Sequence, residues 1–217
     1  MSEFYDKFHG EIQNDKHVDQ VLREYFPDKN YKGVFFDVGA FEPIRISNSH
    51  HFEKNGWDVY CFEANTQLIP LLKTHRKNVF NYAIGNENKD FIEFNVVFSG
   101  EWTAGYSAIE ISEDYKKICG WGDGMIVTKI SVPLKTLNNI IENEIPHIKQ
   151  IDIMSIDIEG GELNCLYGID LEKYKPRVMV IENVVGSKDI SNYLESNNYI
   201  LDKVISYNEY YIRKEKL

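Results

Sequence analysis

From Gly33 onward the apolar residues fall into short β-branched and aromatic runs separated by stretches of helical spacing. Such alternation predicts strands interleaved with helices. Val34-Phe35-Phe36, Val59-Tyr60-Cys61-Phe62 and Asn78 to Tyr82 read as strands, with helices predicted from Asn48 to Asn55, ended by Gly56, and from Leu68 to Lys73. Pro70 is tolerable in the latter if the helix starts at Ile69 and the proline takes its first position, where a missing N–H is harmless. Phe91 to Phe98 and Met125 to Val132 read as antiparallel or peripheral strands. They flank an insertion, about 99–124, that is rich in Gly, Ser and Trp and carries a helix-like piece around Ile109 to Ile118. The alternation then resumes with a helix at Leu137 to Ile141, a strand at Ile151 to Ile156, a helix at Leu163 to Tyr167 ended by Gly168, a strand at Val178 to Ile181 and a helix at Ile190 to Ser196. Tyr199 to Ser206 and Tyr210 to Arg213 follow as strand-like runs meeting at the Asn208-Glu209 corner, as in a closing antiparallel hairpin.

The first 30 residues are weakly patterned, but Val18, Val21, Leu22, Tyr25 and Phe26 recur at helical spacing. They predict a helix from about Lys16 to Phe26, closed by Pro27, so that 1–30 form an N-terminal helical cap. The remainder, 31–217, reads as one α/β domain with a mostly parallel sheet and right-handed crossovers. An insertion as long as 99–124 suits a lid that orders over a bound ligand or a rigid packed subdomain.

Charge narrows the partners. The chain of 217 residues carries 34 Asp+Glu against 24 Lys+Arg, a formal net charge of −10. Nucleic-acid affinity comes mainly from Lys and Arg neutralising phosphates, and the basic runs here, Lys73 to Lys77 and Arg213 to Lys216, are short. Nucleic acid is therefore an unexpected partner. No apolar run reaches the roughly 18 residues of a membrane span, and Met1 to Asp6 show no basic region followed by an apolar stretch. Cys61, Cys119 and Cys165 are odd in number and lack any C-x-x-C pairing, which reads as reduced core thiols of a cytoplasmic protein.

Ligands of open parallel sheets bind beyond the carboxyl ends of the strands, and four predicted strands end in acids there. These are Asp37, Glu63 in Phe62-Glu63-Ala64-Asn65, Asp157 in Ile156-Asp157-Ile158-Glu159-Gly160, and Glu182 in Ile181-Glu182-Asn183. A carboxylate at Glu63 can accept from both hydroxyls of a ribose, as a dinucleotide or an adenosyl group would offer. A pyrophosphate turn wants G-x-G-x-x-G, whereas this chain has Gly39-Ala40-Phe41-Glu42-Pro43-Ile44, with one glycine and an acid where phosphates would sit. A cationic, phosphate-free ligand with a ribose fits better, and S-adenosylmethionine is one. A nicotinamide-binding oxidoreductase of Rossmann type is the alternative, lacking its glycine turn.

The segment Asp37-Val38-Gly39-Ala40-Phe41-Glu42-Pro43-Ile44-Arg45-Ile46-Ser47-Asn48-Ser49, the Gly56-Trp57 after it and Phe62-Glu63-Ala64-Asn65 resemble the first half of an FkbM-type methyltransferase. Ser155-Ile156-Asp157-Ile158-Glu159-Gly160-Gly161-Glu162-Leu163 and Val180-Ile181-Glu182-Asn183 resemble its second half. The resemblance implies a Rossmann-like class I methyltransferase fold, a seven-stranded sheet with helices on both faces and one antiparallel strand, with S-adenosylmethionine as donor and a hydroxyl as acceptor. It implies that Asp37, Gly39 and Ala40 line the methionine end of the donor, that Glu42 and Asn48 hold its amino acid part, that Glu63 with Ala64 meets the ribose, and that Ala83 and Ile84 lie against the adenine. Two positions depart from the family pattern: Phe41 stands where Asn is usual, touching a donor contact, and Ser155 stands where Lys is common, marking an altered acceptor site.

Methylating a hydroxyl calls for a base or a metal. Asp157, Glu159 and Glu182 are the candidate catalytic acids, and Asp157, Glu182 and Asn183 form an all-oxygen set suited to a hard ion such as Mg²⁺. In a blander reading, Asp157 and Glu159 only hydrogen-bond the Gly160-Gly161 turn. His50 and His51 follow the donor loop and read as packing residues more readily than as bases; His75 and His147 belong to no constellation. The expected acceptor is a small molecule or glycan, with a protein or nucleic acid as alternatives.

Overall fold

The central sheet forms because its strands are apolar on both sides, so each strand can be covered twice. In the computed structural model, which describes residues 7–98, 105–111, 113–118 and 125–214, the elements run β1 (Ile12–Gln13), β2 (Lys16–His17), α1 (Val18–Glu24), β3 (Val34–Val38), α2 (His50–Lys54), β4 (Asp58–Phe62), α3 (Ile69–His75), β5 (Asn78–Phe80), β6 (Ala83–Ile84) and β7 (Lys89–Phe98). They continue with α4 (Glu113–Ile118), β8 (Ile126–Lys135), α5 (Leu137–Asn143), β9 (Ile153–Ile156), α6 (Glu162–Tyr167), α7 (Leu171–Tyr174), β10 (Val178–Glu182), α8 (Lys188–Ser196), β11 (Tyr199–Ile205) and β12 (Asn208–Arg213).

The two-residue period of a strand divides the core into layers. Phe36, Val38, Tyr60, Phe62, Met154 and Ile156 face α5, α6 and α8 through Leu137, Ile140, Leu166 and Leu194. Phe35, Val59, Cys61 and Ile153 face the opposite way, onto Val18, Val21 and Leu22 of α1, Phe52 of α2, Leu72 of α3 and Trp57. Seven strands are ordered β11-β12-β10-β9-β3-β4-β5. The neighbours from β10 to β5 are parallel, and β12 runs antiparallel to both β10 and β11. This is the mostly parallel α/β sheet, with one antiparallel strand, that the alternation and the resemblance implied. A separate three-stranded sheet, β6-β8-β7, stands beside it, with β7 and β8 antiparallel.

Local departures have local causes. The first predicted helix starts later than Lys16, because Lys16 and His17 pair with Ile12 and Gln13 across a turn at Asn14 and Asp15, both at positive φ. Helix α3 does start at Ile69, which makes Pro70 its second residue rather than its first. β6 and α7 are two and four residues long, too short to carry a periodic signal. Half of the 99–124 insertion, including Trp102 and Trp121, lies outside the described residues. Among the described residues no helix is long and apolar enough to cross a membrane. Cys61 and Cys165 are buried free thiols.

Chain order reverses at the middle of the sheet. From β3 the chain builds outward through β4 and β5, and from β9 it builds the other way through β10. The carboxyl ends of β3 and β9 therefore flank a topological switch point, where open α/β sheets bind ligands.

Candidate functional site

A cavity of about 910 Å³ opens at this switch point, lined by residues from β3, β4, β6 and β10 and from the loops that follow β3, β4, β9 and β10. Its floor requires Gly39, whose φ is +86° and where a Cβ would stand 1.7 Å from the carbonyl oxygen of Asp157. The backbones of the β3 and β9 ends thus touch beneath the cavity, which no other residue would permit.

On the β3–β4 side the acids are already hydrogen-bonded. Glu63 is buried, and its two oxygens accept from the backbone N–H groups of Phe41 (2.9 Å) and Asn65 (2.7 Å). Burial pushes its carboxyl up to about 7, against the pull of these donors. Phe41 has φ +45°, a conformation in which Asn is several-fold commoner than a bulky residue. The Glu63 bond holds Phe41 in that conformation. Asp37 accepts from the Ser49 hydroxyl; burial raises its pKa, and Arg76 and that hydrogen bond oppose the rise. Asn48 donates to the Ser155 hydroxyl at 3.2 Å, while its own Oδ1 is buried without a partner. Asp37, Gly39, Ala40, Asn48, Glu63, Ala64, Ala83 and Ile84 all line the cavity. Glu42 does not, because both of its oxygens bind Arg45 (2.6 and 3.0 Å) on the outer face of the loop. Ser155 also stays off the wall, buried beneath Asn48.

On the β9–β10 side the acids face one another. Carboxylate oxygens of Asp157, Glu159 and Glu182 lie within 4.8 Å of one another, and Glu159 sits at φ +59°. Burial first pushes all three pKa values up; negative charge adds to the rise, from Glu11 and Glu162 at Asp157 and Glu159, and from Asp157 and Glu159 at Glu182. The hydrogen bond between Asp157 and Glu182 raises Glu182 and lowers Asp157. The two carboxyls therefore titrate as one unit, and a proton held between them belongs to the pair. Neither Asp157 nor Glu159 is needed for the Gly160-Gly161 turn, since Glu162 caps it by accepting from Ile158 N–H (3.2 Å) and Gly160 N–H (3.0 Å). The oxygen set for a hard cation is thus Asp157, Glu159 and Glu182. Asn183 is not part of it: its amide donates to the Ser187 carbonyl and to Glu209, and its oxygen accepts from Ser187 N–H.

Two lining residues were missed by the sequence reading. Glu11 precedes β1 and Tyr207 lies in the β11–β12 turn; both face the cavity, and the Tyr207 hydroxyl donates to Glu11 at 2.6 Å. They are 196 positions apart, and no local pattern joins them. Tyr106, Ser107 and Tyr115, from the described part of the insertion, also line the cavity. The histidines do not. His50 and His51 are buried away from it, His50 edge-on against His9 with its pKa lowered to about 4 by burial and then by Arg76.

Comparison with known proteins identifies the family and the fold. A family profile described as "Methyltransferase FkbM domain" matches residues 37–201. The crystal structure of methyltransferase FkbM from Methylobacillus flagellatus KT aligns with a TM-score of 0.51 at 17% identity, over 87% of this chain and 46% of that one. The chain thus spans about half the length of that relative. A precorrin-6y C5,15-methyltransferase from Geobacter metallireducens GS-15 aligns with a TM-score of 0.40 at 13% identity, over 89% and 86% of the two chains. No curated protein matches the sequence.

Proposed function

The chain belongs to the FkbM methyltransferase family, and from that premise we propose that it uses S-adenosylmethionine to methylate a hydroxyl of a small molecule or glycan. The observation that carries this reading is the division of one cavity into a side of hydrogen-bonded acids at β3–β4 and a side of crowded acids at β9–β10. S-Adenosylmethionine supplies an electrophilic methyl group on a sulfonium.

Glu63 keeps lone pairs free after its two backbone bonds, so it can accept from the ribose hydroxyls. Asp37, Gly39 and Ala40 bound the methionine end, with Asn48 beside them on the wall for its amino acid part. Ala64, Ala83 and Ile84 form the apolar wall for the adenine. In this reading Asp157 takes the hydroxyl proton as the carbon–oxygen bond forms and the methyl–sulfur bond breaks, releasing S-adenosylhomocysteine, while Glu182, hydrogen-bonded to Asp157, keeps that carboxylate oriented. A cation in the cavity would favour the ionised form of Glu159, whose carboxyl burial pushes up to about 8. The same three carboxylates fit a divalent ion such as Mg²⁺, which would lower the acceptor's pKa at that point.

Family membership sets aside the nicotinamide reading. A small or glycan acceptor is favoured over nucleic acid by the net charge of −10 and the acids along the cavity wall. The test is calorimetry with S-adenosylhomocysteine, followed by mass spectrometry of a metabolite and glycan panel incubated with methyl-labelled donor. Donor-product binding with a label appearing on oxygen is expected. Absence of binding, or a label on nitrogen or carbon alone, would refute the reading.

A further inference from the structure

We infer that Arg76 is a positioning residue for the methyl donor, pinning from below the loop that follows β3 and, through Ser49, fixing the carboxylate of Asp37. This rests on the methyltransferase reading above. Arg76 caps the C-terminus of α3, is 4% exposed, and does not line the cavity. Its Nε donates to Glu53 at 2.6 Å, its Nη1 to the Pro43 carbonyl at 3.2 Å and the Ser47 hydroxyl at 3.0 Å, and its Nη2 to the Ser49 hydroxyl at 2.6 Å. Pro43, Ser47 and Ser49 all belong to the segment between β3 and α2.

Direction along this chain of bonds is set by chemistry. A guanidinium can only donate, so the Ser49 oxygen must accept from Arg76, and its single proton is left for Asp37. One oxygen of Asp37 is thereby occupied from behind, and the carboxylate is turned so that its other oxygen is available to the cavity. The buried group holds two carboxylates, Asp37 and Glu53, against one guanidinium. It is one positive charge short, and Asp37 is the member that reaches the ligand space, where a sulfonium or ammonium would restore balance.

The loop also needs holding. Phe41 and Ile46 both have positive φ, +45° and +58°, and such residues persist only where the surroundings over-determine them. Phe41 is held by Glu63; Ile46 lies between Pro43 and Ser47, both bonded to Arg76. Four bonds in diverging directions suit a planar fork and not a lysine ammonium.

The experiment compares Ser49→Ala, Arg76→Lys and Arg76→Met with Leu72→Ala, a fully buried α3 residue that packs on the core. Melting temperature and S-adenosylhomocysteine affinity are measured on the folded proteins at low temperature. Ser49→Ala, which leaves the guanidinium and its other bonds in place, should weaken the nucleoside about tenfold. Arg76→Lys should weaken it comparably, with donor KM raised and kcat at saturating donor little changed. Leu72→Ala should lower the melting temperature without changing affinity. Wild-type affinity in both Ser49→Ala and Arg76→Lys would overturn the inference and leave the proposed function standing, as would losses that only track the melting temperature across all variants. A wild-type chain that binds no S-adenosylhomocysteine would overturn the proposed function itself.

Discussion

The two sides of the cavity solve the same problem, how to keep acids in a poorly solvated place, in opposite ways. On the β3–β4 side each acid is met by donors: Glu63 by two backbone N–H groups, and Asp37 by Ser49 with Arg76 behind it. On the β9–β10 side Asp157, Glu159 and Glu182 are met by other acids: they crowd one another, and Glu11 and Glu162 repel them. Satisfied acids make a rigid receptor whose shape exists before a ligand arrives. Crowded acids hold protons at high cost and change state when a cation, a proton or a substrate enters, which is what a reacting centre requires. The proposed function accordingly gives recognition to one side and chemistry to the other.

The sharpest way to break that division is Asp157→Asn. The change is nearly isosteric but removes the base and weakens any metal ligation. A general base contributes about 10²–10⁴-fold, so kcat should fall by that order while S-adenosylhomocysteine affinity, by calorimetry, stays within about threefold. Treating wild type with EDTA separates routes: loss restored by Mg²⁺ assigns the trio to a metal, and indifference assigns Asp157 to direct proton transfer. Loss of donor affinity equal to loss of turnover would erase the distinction between the two sides.

Glu63→Gln should give the reciprocal pattern. A glutamine keeps the shape but offers one acceptor oxygen in place of two, without the charge. Hydrogen bonds to charged groups contribute about 1.5–3 kcal/mol, so donor affinity should fall about 10–100-fold, with kcat at saturating donor little changed. Calorimetry and a donor titration of initial rates check both halves of this statement.

Much of this contrast was legible in the sequence, because its carriers are local. An acid closing an apolar run marks a strand end by itself, and Asp37, Glu63, Asp157 and Glu182 were found in that way. What stayed hidden depends on distant partners or on competition among near neighbours. Arg76 sits within a short basic run that reads as surface, yet it is buried because Glu53, Pro43, Ser47 and Ser49 meet it from another part of the chain. Glu11 and Tyr207 meet only after both hairpins are folded. Glu162 and Glu159 were indistinguishable as letters, and the turn selects Glu162 as its cap. Asn183 looked like a ligand until its amide was taken by the loop it starts.

Stability against pH tests the same contrast in the free protein. The carboxyls of Glu63, Asp157, Glu159 and Glu182 are raised in the folded state. Folded chains therefore hold protons that unfolded chains release above about 4.5. Stability from these groups is fully present below that pH and is lost as pH rises through their folded values. In EDTA, the melting temperature should therefore fall as pH rises from 5 to 8. Glu182→Gln should flatten the fall more than Glu63→Gln, because like charges as well as burial raise Glu182, whereas backbone donors counteract the rise at Glu63. Equal flattening by both variants would mean that burial alone sets the two environments.

The smallest expected effect concerns Glu42, which the family resemblance places on the amino acid part of the donor. Its carboxylate is fully engaged by Arg45, whose side chain is 59% exposed, and it contributes nothing to the cavity wall. Exposed ion pairs of this kind are worth about 0–1 kcal/mol, and less in salt. Glu42→Ala should therefore change stability by no more than about 0.5 kcal/mol and donor affinity by less than about twofold. The recognition side would then consist of buried groups alone: Asp37, Asn48 and Glu63, set from beneath by Ser49 and Arg76. A tenfold loss of donor affinity in Glu42→Ala would mean that the Arg45 pair opens when the donor arrives. The loop after β3 would then rearrange on binding, and the rigidity ascribed to this side of the cavity would have to be given up.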